Sequence, residues 1–392
     1  MIRGSLRRYF LLVLLISSNP CWSASPEIPV ELQPALTLFN KGELIEAYGA
    51  LDGLEESHTS SKEYFFLKAM TKWKMMWLST YNPSDSEKVV ALLDQVDGLC
   101  TPSMDQDSAM QFYHAAAIGL RAQMAATGGD WWKTAKLGKK MKNHAVEILE
   151  KDPAFYPANY LLGSYNYFAD ALPGYLKFLR VLVFLPGGDR KDGLKQLQVA
   201  YEKGGITETE AAKTLAIIYT YYERKFDAGK KICDEVLDRY PPSFDIALYR
   251  SINLYFLKDY AESILSLEEL RSQILAYSTK HEAGDSVLPV YQPMEREIRY
   301  WIARSKIQQQ KWNEARELLV ALSDPPVHQP YWLLRGVYLS LAQLDYQAKN
   351  IPRANGWIAR VLDWSDVKDS HDKAKKLKKK KGKVGAFDID FL

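Results

Sequence analysis

Cysteine is scarce, three in 392 residues. Cys21 falls in a leader-like stretch. That leaves Cys100 and Cys233, too few for the disulfide framework of small secreted domains. The two lie in different helical stretches, so a bridge between them is open but not expected. Cys233 sits at an apolar repeat position and reads as a small core residue. Histidine is sparse as well. His58, His114, His144, His281, His328 and His371 are scattered, with no His-x-x-x-His and no His-Glu-x-x-His, the spacings that set up zinc sites on helices. There is no Gly-x-x-x-x-Gly-Lys-Ser/Thr phosphate loop, no Gly-x-Ser-x-Gly elbow around Ser164, and no His close to either Cys to activate it. The expectation is therefore no metal, no cofactor and no catalytic constellation. Strand patterning is almost missing, and no apolar run reaches the ~20 residues that span a bilayer.

Strong net charge is absent too. The total is +3. Arg3, Arg7 and Arg8 supply three positive charges at the start, and the stretch from Ser365 onward carries nine Lys against five Asp, so the body between them is mildly acidic at −4. Such a body gives no electrostatic footing for nucleic acid. The start itself reads as an export signal over residues 1–24: a basic Met1 to Arg8, an apolar Tyr9 to Ile16, then small and polar residues to Ala24. Cys21 follows Asn19-Pro20 and not a lipobox. Arg7-Arg8 fits part of a twin-arginine pattern, but Leu6 departs from it, and the general export route suits the short run better. An exported protein of the cell envelope, periplasmic if bacterial, is the expectation.

What is present is helical periodicity. Apolar residues recur at spacings of three and four, interrupted by turn chemistry such as Lys41-Gly42, Asn82-Pro83, Thr101-Pro102, Gly128-Gly129-Asp130, Asp152-Pro153, Gly204-Gly205 and Pro241-Pro242. Asp189 before a helical run is a good N-cap, and Ser84 and Thr207 are candidates for the same part. A finer pattern recurs: a bulky residue, then a small one three on, then apolar residues seven and ten on. Phe226 leads to Gly229, Cys233 and Val236; Tyr260 to Ser263, Leu267 and Leu270; Trp312 to Ala315, Leu319 and Leu322; Ile351 to Ala354, Ile358 and Val361; Leu44 to Ala47, Leu51 and Leu54. Steps of three, four and three keep all four on one helical face. The small residue lets a neighbouring helix approach, and the bulky one fills the turn of a hairpin. One hairpin cannot bury its apolar face alone, so hairpins stack.

This pattern, with Phe226 and Tyr260 34 residues apart, resembles the second helix of a tetratricopeptide repeat (TPR). Pro153 and Pro241 stand at the closing proline position, and Leu162-Gly163 is similar to the Leu-Gly pair of the first helix. Tyr260 to Trp312 is stretched to 52 residues and Trp312 to Ile351 to 39, the Arg190 hairpin lacks the bulky residue, and the motif is degenerate between Ser61 and Lys151. A local segment, Leu172-Pro173 with Gly188-Asp189-Arg190 and Gly193-Leu194, resembles the tetratricopeptide repeat 39 family. The resemblance implies an all-α, right-handed superhelical solenoid of about eight antiparallel hairpins over residues 25–364, with inserted helices and a disordered Lys-rich tail over 365–392. Repeat packing would rest on Ala47, Gly163, Phe226, Gly229, Tyr260, Ser263, Trp312, Ala315 and Ala354.

The same resemblance places the first helix of each hairpin on a concave groove. Tyr160, Tyr167, Phe168, Tyr221, Tyr222, Tyr255, Tyr300 and Arg304 are the candidate groove residues, joined by Asp245, Ile252 and Phe256. Tyrosine suits peptide capture, offering contact area at low entropy cost with a polar tip. A small error of helical phase would instead pack these rings between hairpins. Adjacent acids such as Glu55-Glu56, Glu208/Glu210 and Glu268-Glu269 read as solvated helix turns. The expectation is a non-enzymatic TPR scaffold or adaptor with a protein or peptide partner. One alternative is a peripheral membrane module using the apolar stretch from Pro173 to Pro186 and the lysines from Lys373 to Lys383 on an anionic surface; burial of that stretch and a solubilising tail are the competing readings. The other is a cell-wall glycan hydrolase using one acid. The sequence fixes neither partner nor oligomeric state.

Overall fold

The computed structural model describes residues 28–78, 83–171, 187–281, 288–324, 331–364 and 370–379. The expected leader (1–24), the apolar stretch 173–186 and the Lys block from Lys380 onward lie outside these residues. Seventeen helices, and no strand, occur among the described residues. They pair as α1 (Gln33–Lys41) with α2 (Leu44–Asp52), α3 (Lys62–Leu78) with α4 (Pro83–Cys100), α5 (Ser108–Thr127) with α6 (Trp131–Lys151) and α7 (Ala158–Ala171) with α8 (Arg190–Lys203). The pairs continue as α9 (Glu208–Ile217, running on through a π turn at Ile218–Tyr222) with α10 (Phe226–Arg239), α11 (Phe244–Phe256) with α12 (Tyr260–Lys280), α13 (Gln292–Gln308) with α14 (Trp312–Ala321) and α15 (Tyr331–Gln347) with α16 (Ile351–Leu362). A last helix, α17 (Ser370–Lys379), packs on α15 and α16. Each helix packs on the next, and the first helices of successive hairpins touch one another along much of the array. The result is a TPR-like helical solenoid of eight hairpins.

Local sequence explains the boundaries. In five hairpins the second helix opens on the bulky residue of the repeat: Leu44, Phe226, Tyr260, Trp312 and Ile351 are each a first helical residue. Side chains of Asp107, Asp130, Asp189, Asp259 and Asn350 cap the helices that follow them by accepting from otherwise unpaired N–H groups. Thr207 precedes α9 without capping it; its hydroxyl donates to the Gly204 carbonyl instead. Helix α4 begins at Pro83, so Ser84 lies inside it.

The small positions are where helices come closest. Ala47, Ser263, Ala315 and Ala354 have no exposed surface. A Cβ on Gly163 would stand 2.9 Å from the Gly193 carbonyl oxygen, one on Gly193 2.6 Å from the Tyr167 nitrogen, and one on Gly229 2.7 Å from Asn253 Oδ1. Of the bulky positions, Phe226, Tyr260 and Trp312 are half-buried, Leu44 is buried and Ile351 is exposed; Phe226 stacks on Phe256 with centroids 4.5 Å apart. Where the Arg190 hairpin lacks a bulky residue, the guanidinium lies 5.2 Å over the Tyr167 ring and takes its place. Cys100 and Cys233 are both free and buried, and burial pushes the Cys100 thiol up to about 12.

One expectation needs correction. Residues 370–379 of the supposed disordered tail are helical, because Ser370, Ala374 and Leu377 fall at spacings of four and three and bury one stripe against the last hairpin while the lysines face outward. The array is also more than a chain of neighbour contacts. Leu32, Ala35, Phe39, Leu44, Ala47, Leu51, Tyr64 and Leu67 share one hydrophobic core with Phe244, Ile252, Tyr277, Tyr291 and Ile298. The Tyr291 hydroxyl accepts from Leu44 N and donates to the Gly42 carbonyl, the Tyr277 hydroxyl accepts from Ile45 N and donates to Glu46, and Ser243 donates to the Asn40 carbonyl. Lys280 and His281 add contacts to Glu46. The solenoid thus curls until its first hairpins dock on its sixth and seventh.

Candidate functional site

The docking of α1 and α3 against α9 and α11 brings charged groups to the inner face. Lys74 of α3 places its Nζ 2.7 Å from Asp245 Oδ2. Lys213 of α9 lies 3.9 Å from the same oxygen and 3.4 Å from Glu210 Oε1. Both ammonium groups stand over the Phe39 ring, 5.0 and 5.1 Å from its centroid, a geometry in which the ring quadrupole attracts the cation. Asp245 also accepts from Ile246 N through Oδ1. The cluster is deeply set but not sealed: Glu210 keeps 27% and Lys74 17% of its side-chain exposure.

Its electrostatics follow from burial and charge pairing. Burial alone would raise the Asp245 carboxyl, but the Lys213 and Lys74 ammonium groups overcome it and hold the acid well below the usual carboxylate range. Burial lowers Lys74 in spite of Asp245, with Lys213 adding to the repulsion. Lys213 is pushed down by burial and raised on balance by Asp245 and Glu210. Two cations and two anions close a neutral network, which suits a buried site because neither sign is left uncompensated.

Around this network runs an aromatic wall. Tyr160 of α7, Tyr221 in the π turn and Tyr249 of α11 are half-buried. Tyr221 and Tyr249 meet edge to face, 5.9 Å between centroids. Burial raises the hydroxyl pKa of all three, with Glu210 adding to the shift of Tyr160 and Asp245 to that of Tyr249. They stay protonated and can donate hydrogen bonds at neutral pH. The wall offers apolar area with polar tips beside paired charges, a surface for holding an amphipathic segment. Both thiols are buried and raised by that burial, so neither is an activated nucleophile.

The eight candidate groove residues divide. Tyr160 and Tyr221 lie on the inner wall, and Asp245 is at its charged centre. Tyr167, Tyr255, Tyr300 and Arg304 are buried between helices, which corrects their expected groove role. The Tyr167 hydroxyl donates to Glu223, which also pairs with Arg190 at 2.6 Å. Arg304 donates to the Tyr255 hydroxyl at 3.0 Å, and Tyr300 fills the space above Gly336. Phe168 is half-buried and Tyr222 exposed, meeting edge to face 5.7 Å apart. The π turn adds a residue to the last turn of α9, which shifts the phase there and sends Tyr221 and Tyr222 to different surroundings.

Phe39, Lys74, Lys213 and Tyr249 were not legible as site residues. Phe39 and Lys74 come from hairpins more than 130 residues away in the chain from α9 and α11, and no local spacing connects them. Glu210, read as a solvated acid, instead pairs with Lys213. A lysine on an otherwise apolar first-helix face, as at Lys213 beside Ala211, Ala212 and Leu215, was the one available signal.

No family model and no curated protein matches the chain. Solved structures similar to it over most of its length include yeast Tom70 (13% identity, TM-score 0.43, 90% of this chain and 81% of that one). A tetratricopeptide repeat protein from Parabacteroides merdae matches at 11% identity and TM-score 0.33, covering 78% of this chain and 96% of that one. Human IFIT1, a dimer with m7Gppp-AAAA, matches at 15% identity and TM-score 0.39, covering 89% and 82%. These likenesses are loose, and the architecture rests on the hairpin contacts above.

Proposed function

We propose that the protein is a non-enzymatic interaction scaffold, exported to the cell envelope, that holds an amphipathic helical segment of a partner on its inner face. The observation that carries this reading is the wall of Tyr160, Tyr221 and Tyr249 beside the Lys74–Asp245–Lys213–Glu210 network, on the face against which α1 and α3 of the same chain dock. Protonated tyrosines give contact area and hydrogen bonds with little side-chain entropy to lose. The neutral ion network adds orientation without demanding a charged ligand. Export is supported by the basic, apolar and small-residue order of residues 1–24.

In-cell crosslinking of a tagged full chain, followed by mass spectrometry, tests the scaffold. The expected result is a few stoichiometric envelope proteins, lost when Tyr160, Tyr221 and Tyr249 are replaced by Ala in a chain that still unfolds cooperatively. Undiminished capture by that variant would remove the inner wall from the proposal, and recovery of glycan fragments in place of proteins would replace the scaffold with a hydrolase.

A further inference from the structure

Helix α6 carries a surface unlike any other described part of the molecule. Trp131 and Trp132 open it, and both are exposed, 41% and 48%. Two adjacent exposed indoles are costly to leave in water without a partner. They are not on a loose loop. Asp130 caps the helix by accepting from Lys133 N at 2.9 Å, and Trp131 N donates to the Gly129 carbonyl at 3.0 Å. The backbone that carries the indoles is therefore held in the first turn of the helix, at the tip where the α5–α6 hairpin reverses.

Charge follows the tryptophans. From Trp131 to Val146 there are five lysines and no acid. Lys133, Lys136 and Lys140 are exposed and form no ion pair among the described residues. Trp132, Lys136 and Lys140 follow at steps of four, so indole and ammonium groups share one stripe. Met141, Ala145 and Ile148 anchor the opposite face in the core. The body of the chain is mildly acidic, which makes this stripe a local reversal of sign.

We infer that α6 is a membrane-contact helix that seats Trp131 and Trp132 at the interface of an anionic lipid bilayer while Lys133, Lys136 and Lys140 meet the headgroups. Indole rings prefer the headgroup level of a bilayer, where an apolar body and a polar N–H are both satisfied. Lysine stems snorkel beside them, apolar along the chain and charged at the tip. Protein interfaces are depleted in lysine, so a protein partner fits this stripe less well. A nucleic-acid platform presents ring faces to successive bases along a groove, whereas neighbouring residues on a helix point about 100° apart and these two open a helix at the turn of a hairpin. The contact is separate from the inner wall and does not depend on what that wall binds.

Co-sedimentation of the full chain with phosphatidylcholine vesicles, with and without phosphatidylglycerol, tests it. Binding contributed by the basic, apolar start of the chain is common to every variant, so the difference between wild type and variant on each vesicle type is the reading. The wild type should bind the phosphatidylglycerol vesicles preferentially, and less as salt rises. Charge reversal at three sites (K133E/K136E/K140E) should weaken that binding on the order of a hundredfold, from the effect of each lysine near an anionic surface. W131S/W132S should weaken it on both vesicle types, and quenching by brominated lipid should drop in W131F/W132F. All five side chains are exposed, so unchanged thermal unfolding is expected and checks the fold. Wild-type-like binding by the α6 variants overturns the proposal, as does loss only on reversing Lys375, Lys376, Lys378 and Lys379 in α17. Absence of any preference for the anionic vesicles, or retention of single-stranded RNA that the same lysines control, overturns it too.

Discussion

The seams between successive helices and the closure of the first hairpins on the sixth and seventh are built from different residue types by opposite logics. At the seam, small residues carry the contact: Gly193 and Gly229 leave no room for a Cβ, and Ala47, Ala315 and Ala354 are fully buried. At the closure, large polar residues carry it: Tyr277 and Tyr291 reach backbone groups of residues 42–45, and Lys74 reaches Asp245. A seam repeats, so its geometry can be solved once with a short side chain. A closure occurs once, between surfaces that no repeat makes complementary, and long side chains with directional hydrogen bonds fix its register.

That contrast can be broken at either end. The largest effect is expected at the closure's charged centre: Asp245→Ala leaves two deeply set ammonium groups without their shared anion and should cost about 3–5 kcal/mol, read as a shift in the urea midpoint. Overpacking the seam comes next. Gly193→Ala drives a Cβ against the Tyr167 backbone, which cannot yield as a side chain tip would, and should cost about 1–3 kcal/mol. If Gly193→Ala is neutral in urea unfolding, the close approach of α7 and α8 is wrong.

The pH response separates the two regions further. Asp245 is held well below its unfolded value, so its contribution is present above the unfolded carboxylate pKa of about 3.9 and is lost as pH falls toward its folded value. The wild type should lose stability steeply below about pH 4, and Asp245→Asn should flatten that slope; parallel slopes would show that other acids dominate. Smaller again is Tyr291→Phe, which removes one hydroxyl and leaves the buried Gly42 carbonyl unpaired, about 1–2 kcal/mol. Its signature should be faster amide exchange at Leu44 with little change at Ser263. Leu265→Ser is the reference. The side chain is 61% exposed on α12, and a change beyond about 0.5 kcal/mol in unfolding free energy would mean that it covers something.

Much of the seam was readable in sequence, for a reason visible in single residues. Phe226, Tyr260, Trp312, Ile351 and Leu44 each open a helix because the steps of three, four and three that follow them are a local property of one face. Asp189 was readable as a cap because capping needs only the next two or three N–H groups. The inner face was readable only in part. Tyr160 and Tyr221 reach it, but Tyr167, Tyr255 and Tyr300 pack inside the array, since a one-residue change of phase turns a helical side chain by about 100°. The π turn before Glu223 makes such a change, and no residue pattern announced it.

The sequence by itself determined the class of the chain: helices of known start, paired in hairpins, with small residues at their closest approaches. Those features depend on periodicity and capping, which act within a few residues. Only the tertiary structure decided that the array closes on itself, that Lys74 and Phe39 meet Lys213 and Asp245, and that Ala374 and Leu377 draw part of the lysine tail into a helix. The closing contacts join segments far apart in the chain, and they form only because the curvature accumulated along the array brings its first hairpins within reach of the sixth and seventh.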